Sequence, residues 1–210
     1  MSNRDLIFWD VDTQVDFILP EGNLYVPGAE KIIGNLKQLT DFAAKNHILV
    51  ISTADAHLET DAEFSLYPPH CMVGTDGQKK LPATLISGNY IVPNYPVYLP
   101  PDIAQYPQIV VEKQATNIFT NPNIEKLLAQ LGKNRRVVLY GVVTEICVGQ
   151  AAYGLIQRGY RVDLVRDAIL GFNDAKGKEI MDYVQRQGGR VTSTADVLAG
   201  KLSALAHRVG

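Results

Sequence analysis

The sequence predicts an α/β protein, a three-layer α/β/α sandwich around a mostly parallel sheet of about six strands. Three observations predict it. Short apolar, β-branched runs alternate with stretches of helical periodicity. Side chains capable of chemistry recur at the ends of those runs. The chain has 210 residues and 46% apolar content, enough for one sizeable core, so a single domain over 1–210 is expected.

Leu6 to Val11 (LIFWDV) reads as a central parallel strand whose carboxyl end is charged by Asp10 and Asp12. A Pro-Gly-Asn loop from Pro20 to Gly28 follows. Ala29 to Lys45 carries Ile32, Ile33, Leu36, Leu39, Phe42 and Ala43 at helical spacing. His47 to Thr53 (HILVIST) is a second strand. From Ala54 to about Pro107 the periodicity fails and prolines accumulate; a long irregular segment in a compact domain is commonly functional. The alternation resumes with a strand at Gln108 to Glu112 and a helix at Asn121 to Leu131, with Pro122 in its first turn. Arg136 to Tyr140 is a buried strand, and a helix follows it. Tyr160 to Val165 is a strand, Asp174 to Gln187 a helix, Arg190 to Thr192 a last short strand, and Ser193 to Ala199 a final turn or helix.

Net charge is −2 and no long Lys/Arg run occurs, so neither nucleic acid nor an anionic membrane surface is an expected partner. The opening MSNRD leads straight into an apolar strand without a secretory h-region, and no apolar run is long enough to span a bilayer. Two cysteines, Cys71 and Cys147, do not suggest a disulfide-stapled secreted domain, although a disulfide is not excluded. A reducing cytoplasm is the expected compartment, and self-association into a homo-oligomer is left open.

The stretch RVVLYGVVTEICVGQ, Arg136 to Gln150, organises the chemistry. Gly141 ends a strand, Thr144 is read as a helix N-cap, Glu145 puts a charge in the first turn, and Cys147 falls on that turn. Unpaired N–H groups and the positive helix end there would lower a thiol pKa. The alternative is a small buried hydrophobe. A thiol attacking a carbonyl needs an acid/base partner. Of four histidines, His47 begins a strand and His207 lies in the tail, whereas His57 and His70 sit in the irregular segment with Asp55 and Glu63. Two imidazoles and two carboxylates suit a first-row divalent ion with open positions, unless they are only a polar surface loop. If the histidines hold a metal, Asp12 is the natural base and Lys113 could hold it in place or stabilise charge, unless the two are only a strand-end Asp in a turn and an exposed Lys. Asp12, Asp55, Lys113 and Cys147 all follow predicted strands, where sites in such folds lie.

Six motifs in this order resemble the isochorismatase-like cysteine hydrolases, and within them the nicotinamidases, from about Leu6 to Thr194. Val11-Asp12-Thr13-Gln14-Val15-Asp16-Phe17 is similar to the family's VDxQxDF opening, and Asp55-Ala56-His57 to its DxH metal motif. Glu63-Phe64-Ser65 stands where a third ligand, usually His, precedes Phe-Ser. Tyr67-Pro68-Pro69-His70-Cys71 resembles WPPHC, Lys113 falls at the family's lysine, and Gly141-Val142-Val143-Thr144 with Cys147 resembles the GVxTxxCV nucleophile turn. The resemblance implies amide hydrolysis through a thioester, with a small amide as partner. Asp12, Lys113 and Cys147 would be catalytic, and the N–H groups of Val143 and Cys147 would hold the oxyanion. One divalent ion, Zn2+ before Fe2+ or Mn2+, would sit on Asp55, His57, Glu63 and His70. Phe17 and Tyr67 would enclose a pyridine ring, and a cis peptide would join Val142 to Val143. Nicotinamide, the step to nicotinate and a place in NAD salvage are the implied substrate and context. The departures are Glu63 for His, Tyr67 for Trp, and Gln114 where Gly often follows the lysine.

Other readings compete. Within the family, another small amide or carbamoyl compound is the alternative substrate. LIFWDVDT also resembles the DxDxT opening of haloacid-dehalogenase-type phosphatases, with Asp10 as nucleophile, Asp12 as acid, magnesium as cofactor, and Ser52 or Thr53, Lys113 and Asp167 in later motifs. That reading gives His57, His70 and Cys147 no role. A non-catalytic binding relative is a third reading, against which an intact Asp12, Lys113 and Cys147 argue.

Overall fold

The computed structural model describes residues 5–133 and 135–201; His207 lies outside them. Seven parallel strands form one sheet: β1 (Leu6–Val11), β2 (Leu49–Asp55), β3 (Tyr90–Val92), β4 (Gln108–Lys113), β5 (Arg136–Val142), β6 (Arg161–Leu170) and β7 (Arg190–Thr192), in the order β3-β4-β2-β1-β5-β6-β7. The expectation of about six strands missed β3. It is only three residues, YIV, between Asn89 and Pro93, too short to show a period. The strand expected at Tyr160 to Val165 instead runs on to Leu170, past a register shift against β5 at Leu139/Gly141.

Helices flank the sheet: α1 (Val15–Ile18), α2 (Ile33–Lys45), α3 (Ile124–Leu131), α4 (Gly149–Gln157), α5 (Asp174–Arg186) and α6 (Thr194–Leu198). The predicted helix at Ala29 begins as a tight 3-10 turn, Ala29–Ile32, and becomes α-helical at Ile33. The helix expected from Asn121 starts at Ile124, after a 3-10 turn at Ile118–Thr120. Each helix hides one stripe, as with Leu36, Leu39, Thr40 and Ala43 of α2 and Ile124, Leu127, Leu128 and Leu131 of α3. Every residue of β2 and β5 is buried, the pattern of a parallel sheet covered on both faces. Among the described residues no helix is long and apolar enough to cross a membrane.

β1 sits in the middle. The chain leaves it toward β2 on one side and later returns to β5 on the other, so strand order reverses around β1. That reversal opens a crevice at the carboxyl ends of the strands. Gly141 makes the crevice edge tight: at φ 119°, a Cβ there would lie 2.1 Å from the Val11 carbonyl oxygen.

Candidate active site

Four neighbouring strands, β4, β2, β1 and β5, bring Lys113, Asp55, Asp12 and Cys147 to one edge. Asp55 and Lys113 are direct partners in the β2–β4 ladder. Lys113 is 1% exposed, and its Nζ forms an ion pair with Asp55 Oδ1, lies 2.9 Å from Asp12 Oδ2, and donates to Cys147 Sγ at 3.7 Å. Asp12 follows β1 at φ 48°, and its Oδ1 accepts from Thr53 Oγ1 at 2.5 Å. The sequence expectation that these four groups converge is met.

One lysine serves two carboxylates unequally. Burial raises the Asp12 pKa, and the Lys113 ammonium and the Thr53 bond do not fully offset it. At Asp55 burial pulls the same way but is outweighed by Lys113 and by the nearby His57 and His70 rings, and the pKa falls. Lys113 itself is held charged: burial opposes the charge, and Asp12 and Asp55 win. Two carboxylates pushed apart in this way suit different tasks, one carrying a proton and the other staying ionised.

The nucleophile turn differs from the sequence reading in two respects. Thr144 is not the cap: Val143 is, without a side-chain bond, and Thr144–Val148 is a single π-helical turn that runs into α4. The N–H groups of both Ile146 and Val148 bond the Val143 carbonyl, at 3.1 Å each, and the second of these, five residues on, is the wide bond of a π-turn. The Cys147 thiol pKa is raised, not lowered. Burial pushes it up and the Asp12 and Asp55 carboxylates add to this, and Lys113 does not reverse it. The peptide bond between Val142 and Val143 is cis, as the resemblance implied.

Beside this group, Asp55, His57, Glu63 and His70 aim one ligand atom each at a common point, all within 4.8 Å of one another. Asp55 Oδ2 lies 3.7 Å from Nε2 of both histidines, and Glu63 Oε1 lies 4.0 Å from His57 Nε2 and 3.8 Å from His70 Nε2. Asp55 Oδ2 and both Nε2 atoms are buried without a hydrogen-bond partner. Unpaired buried polar atoms are costly, and a cation between them removes the cost. The outer nitrogens are already oriented. His57 Nδ1 is 2.9 Å from Asp61 Oδ2, and His70 Nδ1 is 2.8 Å from the Pro68 carbonyl. A carbonyl only accepts, so the His70 proton sits on Nδ1 and the Nε2 lone pair faces the cluster. Burial and the nearby Asp55 raise the Glu63 pKa, a strain that a bound cation would relieve. The donor set fits a first-row divalent ion.

Cys147 opens onto a narrow cleft lined by Phe17, Tyr67, Val143, Asp55, Glu63 and His70, together with Leu24, Thr116, Ile146 and Phe172. The sequence reading named Phe17 and Tyr67 and missed the last four. Phe172 is 45% exposed, and its N–H is fixed by Glu145 Oε1 at 2.9 Å. A bulky apolar residue at Phe172, directly after Gly171 at the end of β6, was the available signal. The other three carried none. Phe17 is buried and meets His70 edge-on, with ring centroids 5.1 Å apart. Asp10, the nucleophile of the phosphatase alternative, is fully buried and bonded to Thr13, Ser52 and Lys80, away from any opening. Asp167 is bonded to Thr194 on the last helix and joins no such site.

Residues 6–196 match the isochorismatase domain. The chain belongs to the isochorismatase family. Isochorismatase domain-containing protein 1 of Danio rerio is 35% identical over 77 residues, covering 37% of this chain and 27% of that relative. Family relatives of solved structure match at greater length. The N-carbamoylsarcosine amidase of Thermoplasma acidophilum superposes with a TM-score of 0.72 at 26% identity over 90% of this chain and 96% of that one. The pyrazinamidase of Pyrococcus horikoshii, solved in complex with zinc, gives 0.72 at 26% identity over 90% and 99%. The all-parallel sheet flanked by helices is the fold these isochorismatase-like hydrolases share.

Proposed function

We propose that this family member is a cysteine amidohydrolase acting on a small, uncharged heteroaromatic carboxamide, with nicotinamide as the best-fitting substrate. The observation that carries the reading is the Asp12–Lys113–Cys147 contact set, whose Cys147 lines an aromatic cleft that Asp55, Glu63 and His70 of the four-residue cluster also line. Among the described residues lining that cleft there is no arginine or lysine, and Lys113, buried beside Cys147, is already paired with two carboxylates. A substrate bearing its own carboxylate, such as a carbamoyl amino acid or isochorismate, would find no arginine or lysine of the cleft lining to receive it. A flat neutral ring between Phe17, Tyr67 and Phe172 meets no such penalty.

The thiol is held protonated in the resting site, so attack requires a base at the moment of reaction. Asp12, the carboxylate pushed toward holding a proton, takes it. Sγ attacks the carboxamide carbon, and the Val143 and Cys147 N–H groups receive the oxyanion. Asp12 returns the proton to the departing ammonia, leaving a thioester. It then takes a proton from water as the water attacks the thioester, and it hands that proton to Sγ as the C–S bond breaks, freeing the acid and restoring the thiol. Lys113 keeps compensating charge beside Asp12 and Sγ throughout. Asp55, His57, Glu63 and His70 would hold one divalent ion, zinc, iron or manganese. When bound it offers a ring nitrogen a Lewis-acidic position that orients the amide toward Cys147.

Ammonia release decides the reading. With the metal-loaded protein, nicotinamide and pyrazinamide should turn over well above benzamide, N-carbamoylsarcosine and isochorismate. Preference for a carboxylate-bearing compound would overturn the substrate class. Equal rates for benzamide and nicotinamide would remove the ring nitrogen from recognition.

A further inference from the structure

Asp10 and Lys80 form a second buried ion pair that the reaction above does not use. Asp10 is fully buried, the Lys80 side chain is 4% exposed, and Nζ lies 2.8 Å from Asp10 Oδ2. Between them stands the Thr13 hydroxyl. It donates to Asp10 at 2.9 and 3.1 Å, accepts from Lys80 Nζ at 2.8 Å, and lies 2.8 Å from Thr84 Oγ1. Thr84 Oγ1 also donates to the Leu81 carbonyl at 3.2 Å, so the Thr13 hydroxyl has its donor and at least one acceptor position filled. Two of these bonds are charge-assisted and therefore strong. The main chain is tied at the same point: Leu81 N donates to the Thr13 carbonyl at 2.9 Å, and Gln14 pairs antiparallel with Lys80.

Thr13 follows Asp12 directly. Asp12 holds φ 48°, a conformation a non-glycine residue keeps only where its surroundings over-determine it. On the N-terminal side the β1 ladder holds Val11 against Gly141. On the C-terminal side Gln14 N donates to the Asp12 carbonyl at 2.8 Å, and Thr13 is anchored by both its side chain and its carbonyl. Relaxing the Asp12 backbone would drag Thr13 off both ions. A buried ion pair is a weak source of stability, since apolar residues of the same shape often replace it without loss. Its plausible use is to impose one conformation on what it binds.

We infer that the Asp10–Lys80 pair, acting through the Thr13 hydroxyl, positions Asp12 toward Lys113 and Cys147, which makes Thr13 a positioning residue. This rests on the reading of Asp12 as the proton carrier. The test compares kcat, KM and thermal midpoint for nicotinamide hydrolysis in Thr13→Val, Thr13→Ser and Thr84→Val, with Asp12→Asn as reference. Thr13→Val keeps the shape and leaves the ion pair standing. It should lower kcat about tenfold with KM within about twofold, because a displaced reacting group costs rate rather than binding. Thr13→Ser, which keeps the hydroxyl, should recover most of kcat, and Thr84→Val should lose about threefold. If Thr13→Val does not fold, Thr84→Val carries the comparison. A dead Asp12→Asn beside Thr13→Val and Thr84→Val of wild-type kcat would overturn the positioning role alone. A fully active Asp12→Asn would overturn the reading beneath it. A fall in thermal midpoint with kcat unchanged would leave Thr13 a purely structural residue and also overturn the inference.

Discussion

Asp12, Asp55, Lys113 and Cys147 leave the ends of four adjacent strands, whereas His57, Glu63 and His70 ride on the irregular segment after β2. The strand-borne groups take their spacing from the ladder, as the Asp55↔Lys113 register shows. The loop-borne ligands depend on bonds made one at a time. His57 N donates to the Cys71 carbonyl at 3.1 Å, Val73 N donates to the His57 carbonyl at 3.0 Å, and Cys71 N donates to Asp16 Oδ2 at 2.6 Å. Asp16 also needs Gly77 beside it, since a Cβ there would fall 2.1 Å from Oδ2. A reacting constellation placed on rigid elements holds its geometry, and a ligand loop can then vary around it. The two halves share Asp55, whose Oδ1 pairs with Lys113 and whose Oδ2 faces the histidines.

The strongest way to break the comparison is to remove chemistry from the strand half without touching the loop half. Cys147→Ala should lower turnover by at least about a thousandfold, because the nucleophile acts as a unit with its partners. Bound metal and thermal midpoint should stay near wild type, since the change is small and local. Cys71→Ala should keep much of the activity: Cys71 is fully buried, its pKa is raised by burial and by surrounding carboxylates, and its backbone N–H bond to Asp16 survives the change. Iodoacetamide should label Cys147, which opens on the cleft beside Lys113, ahead of Cys71. An active Cys147→Ala protein would sink the mechanism.

The reverse experiment spares the chemistry and loosens the ligands. Asp61→Ala removes the carboxylate that orients His57 through Nδ1. It should weaken metal binding by about 10- to 100-fold, the usual cost of losing an outer partner. His57→Ala should go further and narrow the preference for nicotinamide over benzamide, with Cys147 still open to alkylation. The measurements are metal content after dialysis against a chelator and ammonia release from both amides. If stripping the metal leaves the preference unchanged, the four ligands are a polar cluster and not a recognition element.

The strand half was legible in the sequence for the same reason that it is rigid. Buried parallel strands write themselves as apolar runs such as LIFWDV and RVVLYGV, and the crevice rule then places whatever follows them. The ligand loop was legible only as clustered histidines and acids, together with the ordered motifs. What stayed hidden depends on distant backbone. Gln14 clamps Asp55 through bonds to its N–H and carbonyl at 2.7 and 2.8 Å, and Asp16 reaches Cys71 across 55 positions. Nothing local in the chain signals such partners. The thiol was misjudged because a helix-end argument is local, whereas burial beside Asp12 and Asp55 is not.

Phe172 offers the finest probe, since it belongs to neither half. It comes from the loop after β6, with its backbone held by Glu145, and it presents a half-exposed ring to the cleft. Gly171 before it has no room for a side chain, because a Cβ would lie 1.9 Å from Glu145 Oε2. The backbone that carries the ring is therefore held by Glu145. An aromatic substrate would cover that ring, and contacts between aromatic groups contribute about 0.5–1.5 kcal/mol beyond area burial. Phe172→Ala should accordingly raise KM for nicotinamide about three- to tenfold while kcat stays within about twofold, since a wall that binds ground and transition states alike sets KM and not the chemical step. Metal content should not move. A kcat that falls as steeply as KM rises would mean that Phe172 aligns the amide with Cys147, and would tie this third element to the strand half of the site.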